Sequence, residues 1–290
     1  DIPNPNHFAN VGTAGGGIMI LSSQLLTNSD FMTGAFPAEY GNALSGVFDL
    51  RLRKGNNEQH EYTAQASLLG LDLAAEGPLV RNSGGSFLVN YRYSTLSMLS
   101  SLGVRIGDGI TGFQDLSFNV YLPAKKAGNF SLFGFGGLSN QWETAEKDST
   151  AWEEYGDRYN SNYFANTGAV GIKHSLTLNT HTNLQSALVM SGYETGFREE
   201  KLDRTYASQL EYQQDFGQKK IAMNVVLNKK LSTRHTLRSG FYFNIIQYKL
   251  SQEELNPQSE EMETGLLSLK NMKSGEQQKI TAEQIISYLS

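Results

Sequence analysis

The chain has 290 residues, 39% of them hydrophobic and 18% charged, with a formal net charge of −5 and no cysteine. The missing thiols exclude disulfide frameworks, thiolate metal sites and cysteine nucleophiles, and acidity spread along the chain argues against the basic face of a nucleic-acid binder. No run approaches the ~20 apolar residues of a membrane-spanning helix, which excludes a helical membrane protein but not a barrel. Glycine, tyrosine and phenylalanine number 29, 14 and 15 against 6 prolines, a balance that favours many strands with close backbone contacts and aromatic anchors.

The chain opens DIPNPN without a methionine and reads as a fragment or processed product. Up to about Asn57 it is compact and turn-rich. NVGTAGGGIMILSSQLL gives a glycine hinge, a short apolar strand at Ile18 to Leu21 and a Ser-initiated segment, and DFMTGAFPAEYG with VFDLRLRKG gives two short strands around a loop. This predicts a small mixed α/β unit with too little chain for a large core.

From His60 the pattern changes to stretches of ~10 residues with period-2 polarity. In FQDLSFNVYL, Leu116, Phe118, Val120 and Leu122 share one face, and Asp115, Ser117, Asn119 and Tyr121 share the other. SFLVNYRYS sets Phe87, Val89, Tyr91 and Tyr93 against Asn90, Arg92 and Ser94. KIAMNVVLNKKL sets Ile221, Met223, Val225 and Leu227 against Asn224, Asn228 and Lys230. TLRSGFYFNIIQYKL sets Leu237, Phe241, Phe243 and Ile245 against Arg238, Tyr242, Asn244 and Tyr248, and NTGAVGIKHSL repeats the pattern weakly.

Alternation alone also fits a soluble sandwich with one dry face. The connections favour a barrel. VRNSGGS, PAKKAGN, LTLNTHT and LSTRHT are short and polar. They alternate with TLSMLSSLGVRIGDGITG, ETAEKDSTAWEEYGDRYNSNY, REEKLDRTYASQLEYQQDFGQ and the stretch after Leu250. Tight turns at one end and long loops at the other are the asymmetry of an outer-membrane barrel. Tyr91, Tyr93, Trp142 and Tyr248 fall where an interfacial aromatic girdle is expected.

Catalytic constellations do not assemble. The five histidines are scattered without metal-ligand spacing. GTAGGGI lacks the order of a dinucleotide or phosphate loop and reads as a hinge. The carboxylates of WETAEKDSTAWEEYGD do not match a calcium loop. No enzyme activity, metal or cofactor is expected.

FPAEYGNALSGVFDLRLRKG, residues 36–55, resembles the end of the plug domain of TonB-dependent outer-membrane receptors: a Tyr-Gly turn, a Ser-Gly pair, and a short strand ending in a basic residue and Gly. IPNPNHF and DFMTGAFPAEYG resemble the version in receptors that carry an N-terminal carboxypeptidase-regulatory-like domain. EYTAQASLLGLDLAAEGPL and NYRYSTL resemble that subfamily's first barrel strands. The resemblance covers roughly residues 1–250.

It implies a mainly β chain. Residues 1–57 form the C-terminal part of a small α/β plug. Residues 58–250 form about nine strands of an antiparallel transmembrane β-barrel that closes with about 22. The resemblance does not account for residues 251–290, which read from their own pattern as an external loop or tail: Thr281 and Gln284 have capping-box spacing for a short amphipathic helix, with a strand cut short as the alternative. The resemblance also implies a bacterial outer-membrane receptor and transporter taking up a scarce nutrient, such as a siderophore or oligosaccharide, by energy-coupled plug movement. Its partners are outer-membrane lipid, the inner-membrane TonB complex reached through an upstream segment, a surface lipoprotein and the ligand. Glu39, Asp49, Arg51 and Arg53 are candidate contacts between plug and wall, and Gly41 and Gly46 supply plug turns. Trp142, Trp152, Tyr155 and Tyr159 are the candidate ligand-contacting residues. An open run of strands leaves backbone groups unpaired in hydrocarbon, so this stretch by itself is not expected to transport. A non-transporting barrel or adhesin and a soluble β-sandwich binding module are the competing functions.

Overall fold

The computed structural model describes residues 5–9, 18–34, 40, 46–68, 70–96, 110–148, 150, 152, 155–203, 205–254, 266–270 and 277–281. Four short strands come first: β1 (Asn6–His7) pairs with β2 (Ile18–Met19), and β3 (Asp30–Thr33) pairs with β4 (Gly46–Asp49). Between them a 3₁₀ turn at Ser23–Leu25 is capped by Ser22, whose Oγ accepts from the Gln24 backbone N–H at 3.3 Å. The regular elements among the described residues of this unit are these strands and the 3₁₀ turn; the rest of the expected α/β unit lies outside the described residues. Nine strands follow in one antiparallel sheet: β5 (Glu61–Ser67), β6 (Gly70–Pro78), β7 (Ser86–Ser94), β8 (Ile110–Pro123), β9 (Asn129–Glu143), β10 (Tyr159–Asn179), β11 (Thr182–Leu202), β12 (Ser208–Lys230) and β13 (Thr236–Glu254). Each pairs only with its sequence neighbours, so the sheet is a simple meander.

The two faces of the sheet carry opposite chemistry. Following the register from β6 to β13, one row runs Ala75, Val89, Phe118, Gly134, Val170, Met190, Ile221, Ile245. A row of the other parity runs Asp72, Arg92, Asp115, Gly137, Thr167, Tyr193, Gln218, Tyr248. Burial is inverted relative to a soluble sheet: Leu116 and Met190 are 47% and 56% exposed, whereas Asp115 and Asn90 are 2% and 0% exposed. The polar face is the one covered, because the N-terminal unit lies against it.

The core is correspondingly small. Ile20 and Leu21 pack on Phe135 and Ala169, with Met19, Leu26, Leu50, Leu52 and Val189 around them. Two glycines let the layers meet. A Cβ on Gly55 would lie 2.0 Å from the Phe87 carbonyl oxygen, and one on Gly137 would lie 2.7 Å from His7 Cε1 and 2.8 Å from Ile20 Cγ1.

The strict alternation of short and long connections needs correction. On the end that carries 95–109 and 144–158, the links at 68–69 and 203–207 are short. Much of REEKLDRTYASQLEYQQDFGQ is strand, because backbone pairing continues after the apolar face has ended. Asp203 then closes a tight turn: its Oδ1 accepts from the Thr205 N–H at 2.7 Å, the Thr205 hydroxyl at 2.6 Å and the Ala207 N–H at 3.0 Å. Tyr248 is also reassigned from the girdle. Its parity puts it on the polar face, in line with Tyr193 and Gln218. In the tail, β14 (Leu266–Lys270) pairs with β15 (Gln277–Thr281). Lys279, Ile280 and Thr281 are therefore strand, and the rest of the expected helix lies outside the described residues.

Two outcomes follow. Ala at Gly55 meets fixed backbone, so Gly55→Ala should expose residues near 51–60 to protease. Gly137→Ala meets side chains that can shift, and should cost about 1–3 kcal/mol in a denaturation series. The Thr205 hydroxyl, then the Ala207 N–H, hold Asp203 below the usual carboxylate range. A lowered folded pKa stabilises above the unfolded value of about 3.9 and is lost as pH falls through the folded one. Amide exchange at Thr205 and Ala207 should therefore stay protected to about pH 3.9 and rise only below it.

Candidate functional site

The most deeply buried polar groups lie between the N-terminal unit and the covered face. The period-2 pattern of β7 and β8 sets Arg92 directly opposite Asp115, and the guanidinium Nε and Nη2 donate to the Asp115 carboxylate at 3.0 and 2.8 Å. Arg92 Nη2 also donates to the backbone carbonyls of Met19 and Ile20. His7 Nε2–H donates to Asp115 Oδ2 at 2.9 Å, and both side chains are fully buried. One wall carboxylate thus receives the N-terminal unit directly through His7 and indirectly through Arg92.

Further contacts continue along the wall. The Ser22 hydroxyl donates to Asp72 at 3.0 Å, and Asn119 Nδ2 donates to the Arg53 carbonyl at 2.8 Å. Arg53 forms a two-pronged pair with Glu76, both bonds 2.7 Å, and the Asn56 N–H donates to the same carboxylate at 2.7 Å. Hydrogen bonding to Glu76 raises the Arg53 pKa despite partial burial. The Lys54 ammonium lies 3.6 Å from the centre of the Tyr121 ring.

At the other end of the interface, the hydroxyls of Tyr163 and Tyr193 both donate to the Ala9 carbonyl, at 2.5 and 2.6 Å. The Phe8 N–H donates to Ser139 Oγ at 3.2 Å. These bonds hold Phe8 at φ +57°, a backbone region that costs a bulky residue energy. Beside Phe8 a cavity of about 330 Å³ is lined by Gln141, Glu143, Ser161, Tyr163, Phe197 and Glu199. Gln141, Tyr163 and Phe197 are register partners, as are Glu143, Ser161 and Glu199, so two adjacent rows of the covered face build it. A larger hollow of about 670 Å³ is lined by Leu116, Phe118, Val170, Met190 and a group of glycines. Its polar members among the described residues are Ser191, Lys219, Lys220 and Gln247, and the rest of the lining is apolar or glycine.

The residues expected from sequence divide. Arg53 reaches the sheet. Asp49 and Arg51 pair with each other at 2.8 Å, and Arg51 also pairs with Asp30 at 2.9 Å, all within the exposed β3–β4 hairpin. Gly46 packs under the Phe31 ring in that hairpin, while Glu39 and Gly41 lie outside the described residues. Trp142 shares the parity of Leu138 and points to the bare face, away from the cavity. Trp152 belongs to a loop cluster: its Nε1–H donates to the Glu146 carbonyl at 2.8 Å, and the Arg158 guanidinium lies 5.1 Å from its ring centre. Tyr159 is buried on the covered side, with the Lys201 ammonium 6.0 Å from its ring centre. Tyr155 falls in a 3₁₀ turn at Tyr155–Arg158. Sequence reasoning missed His7, Phe8 and the Glu143–Glu199 pair; strand parity was the one signal that could have grouped the wall residues.

No family model, curated protein or solved structure matches the chain.

Removing one partner of a buried ion pair leaves the other charge uncompensated, at a cost of about 3–5 kcal/mol. Asp115→Asn should therefore raise amide exchange at His7, Met19 and Ile20 by orders of magnitude. Arg51→Ala, in a solvent-exposed pair, should change stability by less than about 1 kcal/mol.

Proposed function

We propose that this chain is the end of the plug and nine barrel strands of a TonB-dependent outer-membrane receptor, which takes up a scarce nutrient by energy-coupled movement of the plug. The observation that carries the reading is the inverted sheet. Its apolar rows are bare, and over the central strands its polar rows are covered by a small unit held through hydrogen bonds and ion pairs beside a small apolar cluster. Lipid is the solvent that suits the bare face, and a wet lumen suits the other. The long connections at 95–109 and 144–158 share one end of the sheet, the end that faces outward in this reading.

The mechanism follows from how the N-terminal unit is attached. Ligand enters from the long-loop end and meets the cavity beside Phe8. Pulling on the unit from the opposite side opens the His7–Asp115, Arg92–carbonyl and Arg53–Glu76 contacts in turn. Each is directional, and each freed group is hydrated in a water-filled lumen; the apolar surface exposed is that of the cluster around Ile20, Leu21, Phe135 and Ala169. Among the described residues β5 and β13 are the terminal strands of the sheet, and further strands of the same receptor would close it.

The reading predicts where charge is tolerated. Arginine at the middle of the lipid face costs about 2–4 kcal/mol, whereas the lumen face tolerates it. In the full-length protein, Met223→Arg should sharply reduce the amount recovered in the outer-membrane fraction, and Asn224→Arg on the covered face should not. Equal recovery of both variants, or recovery of the parent protein in the soluble fraction, would contradict the reading.

A further inference from the structure

We propose that the cavity beside Phe8 is a binding site for a small, hydroxyl-rich organic cation, of which an amino sugar is the model. The proposal rests on reading the covered face as a lumen. Its volume of about 330 Å³ lies in the range of small-ligand pockets. Among the described residues, its lining contains two carboxylates, Glu143 and Glu199, and no lysine, arginine or histidine.

The carboxylates differ in what they already hold. Glu143 accepts from Gln141 Nε2 at 3.1 Å and from the Ser161 hydroxyl at 3.2 Å. Glu199 has no hydrogen-bond or ion-pair partner among the described residues, and its charged neighbours are the like-signed Glu143 and Glu211. Lys201, the nearby cation, is engaged with Glu211 at 4.0 Å, and Arg198 is tied to Glu200 at 2.5 Å. Among the described residues, neither cavity carboxylate is paired with a cation.

Aromatic rings complete the site. Phe8, Tyr163 and Phe197 line it, and Tyr212 packs on Phe197 with ring centres 6.0 Å apart. Ring faces attract an ammonium group, most strongly where water is partly excluded. Gln141 and Ser161 supply donors and acceptors for hydroxyl groups. An anionic ligand meets two like charges here and is disfavoured. Because Phe8 belongs to the N-terminal unit, an occupant touches both that unit and the wall.

The test uses full-length protein purified in detergent and titrated calorimetrically at pH 6 with three disaccharides of similar size: the glucosamine dimer, its N-acetylated form and digalacturonate. The amine form should bind at least tenfold more tightly than the acetylated form, and digalacturonate should not bind. Glu143→Gln with Glu199→Gln should abolish the tenfold preference, whereas Glu200→Gln, on the other face, should preserve it. Circular dichroism confirms that the sheet is intact in each variant. Equal affinity for the amine and acetylated forms, no binding of the amine form at millimolar concentration, or a preference that survives the double substitution would each overturn the proposal. Outer-membrane fractionation of the same protein reads the receptor assignment separately. Outer-membrane recovery without the preference sinks the cation site alone, and the preference without outer-membrane recovery sinks the receptor assignment alone.

Discussion

The structure depends on one constraint: a sheet of nine strands with a dry row and a wet row must find a different environment for each. In a soluble sandwich the dry rows meet a second layer and the wet rows meet water. Here the N-terminal unit covers the wet rows of the central strands, not those of β5 and β13, and leaves the dry rows bare, so the layer that packs on the sheet does so largely by pairing polar groups. Asp115 is the centre of that arrangement. It is fully buried and receives both Arg92 and His7, and Arg92 in turn fixes the Met19 and Ile20 carbonyls. The small apolar core at Ile20, Leu21, Phe135 and Ala169 sits beside this polar clasp.

Attachment by directional contacts has an energetic consequence. A unit docked through a large apolar face resists removal because every Å² must be rehydrated at about 25 cal/mol. A unit docked through hydrogen bonds exchanges protein partners for water at a net cost of about 0.5–1.5 kcal/mol each. At Asp115 the wall pair with Arg92 survives withdrawal of the unit, which releases only His7 and the Met19 and Ile20 carbonyls. Release is therefore dominated by a few named contacts, which suits the plug movement proposed above.

Much of this was legible in the sequence, for a local reason. Period-2 alternation is a property of neighbouring residues, so the faces of β7, β8, β12 and β13 could be read directly, and Asp115 and Arg92 fell on the wet side. What joins them to the N-terminus could not be read, because His7 and Asp115 lie 108 positions apart. Strands β10 to β12 are about twice as long as the ~10-residue stretches that alternation marks, because regular alternation breaks down toward their ends while backbone pairing continues. Arg51 and Arg53 show the limit most clearly. They are two residues apart, yet one closes an exposed hairpin and the other grips the wall, a difference set by where the chain leaves the β3–β4 pair.

The absence of cysteine permits the most direct test of the central claim, that the bare face meets lipid and the covered face meets water. Single cysteines at Phe243 and Asn244, adjacent in β13 and opposite in parity, would be labelled in intact outer membranes of cells expressing the full-length protein. The account predicts that Phe243→Cys reacts with a membrane-dissolved maleimide and resists an aqueous one, while Asn244→Cys does the reverse. Aqueous labelling of Phe243→Cys as fast as that of Asn244→Cys would contradict it.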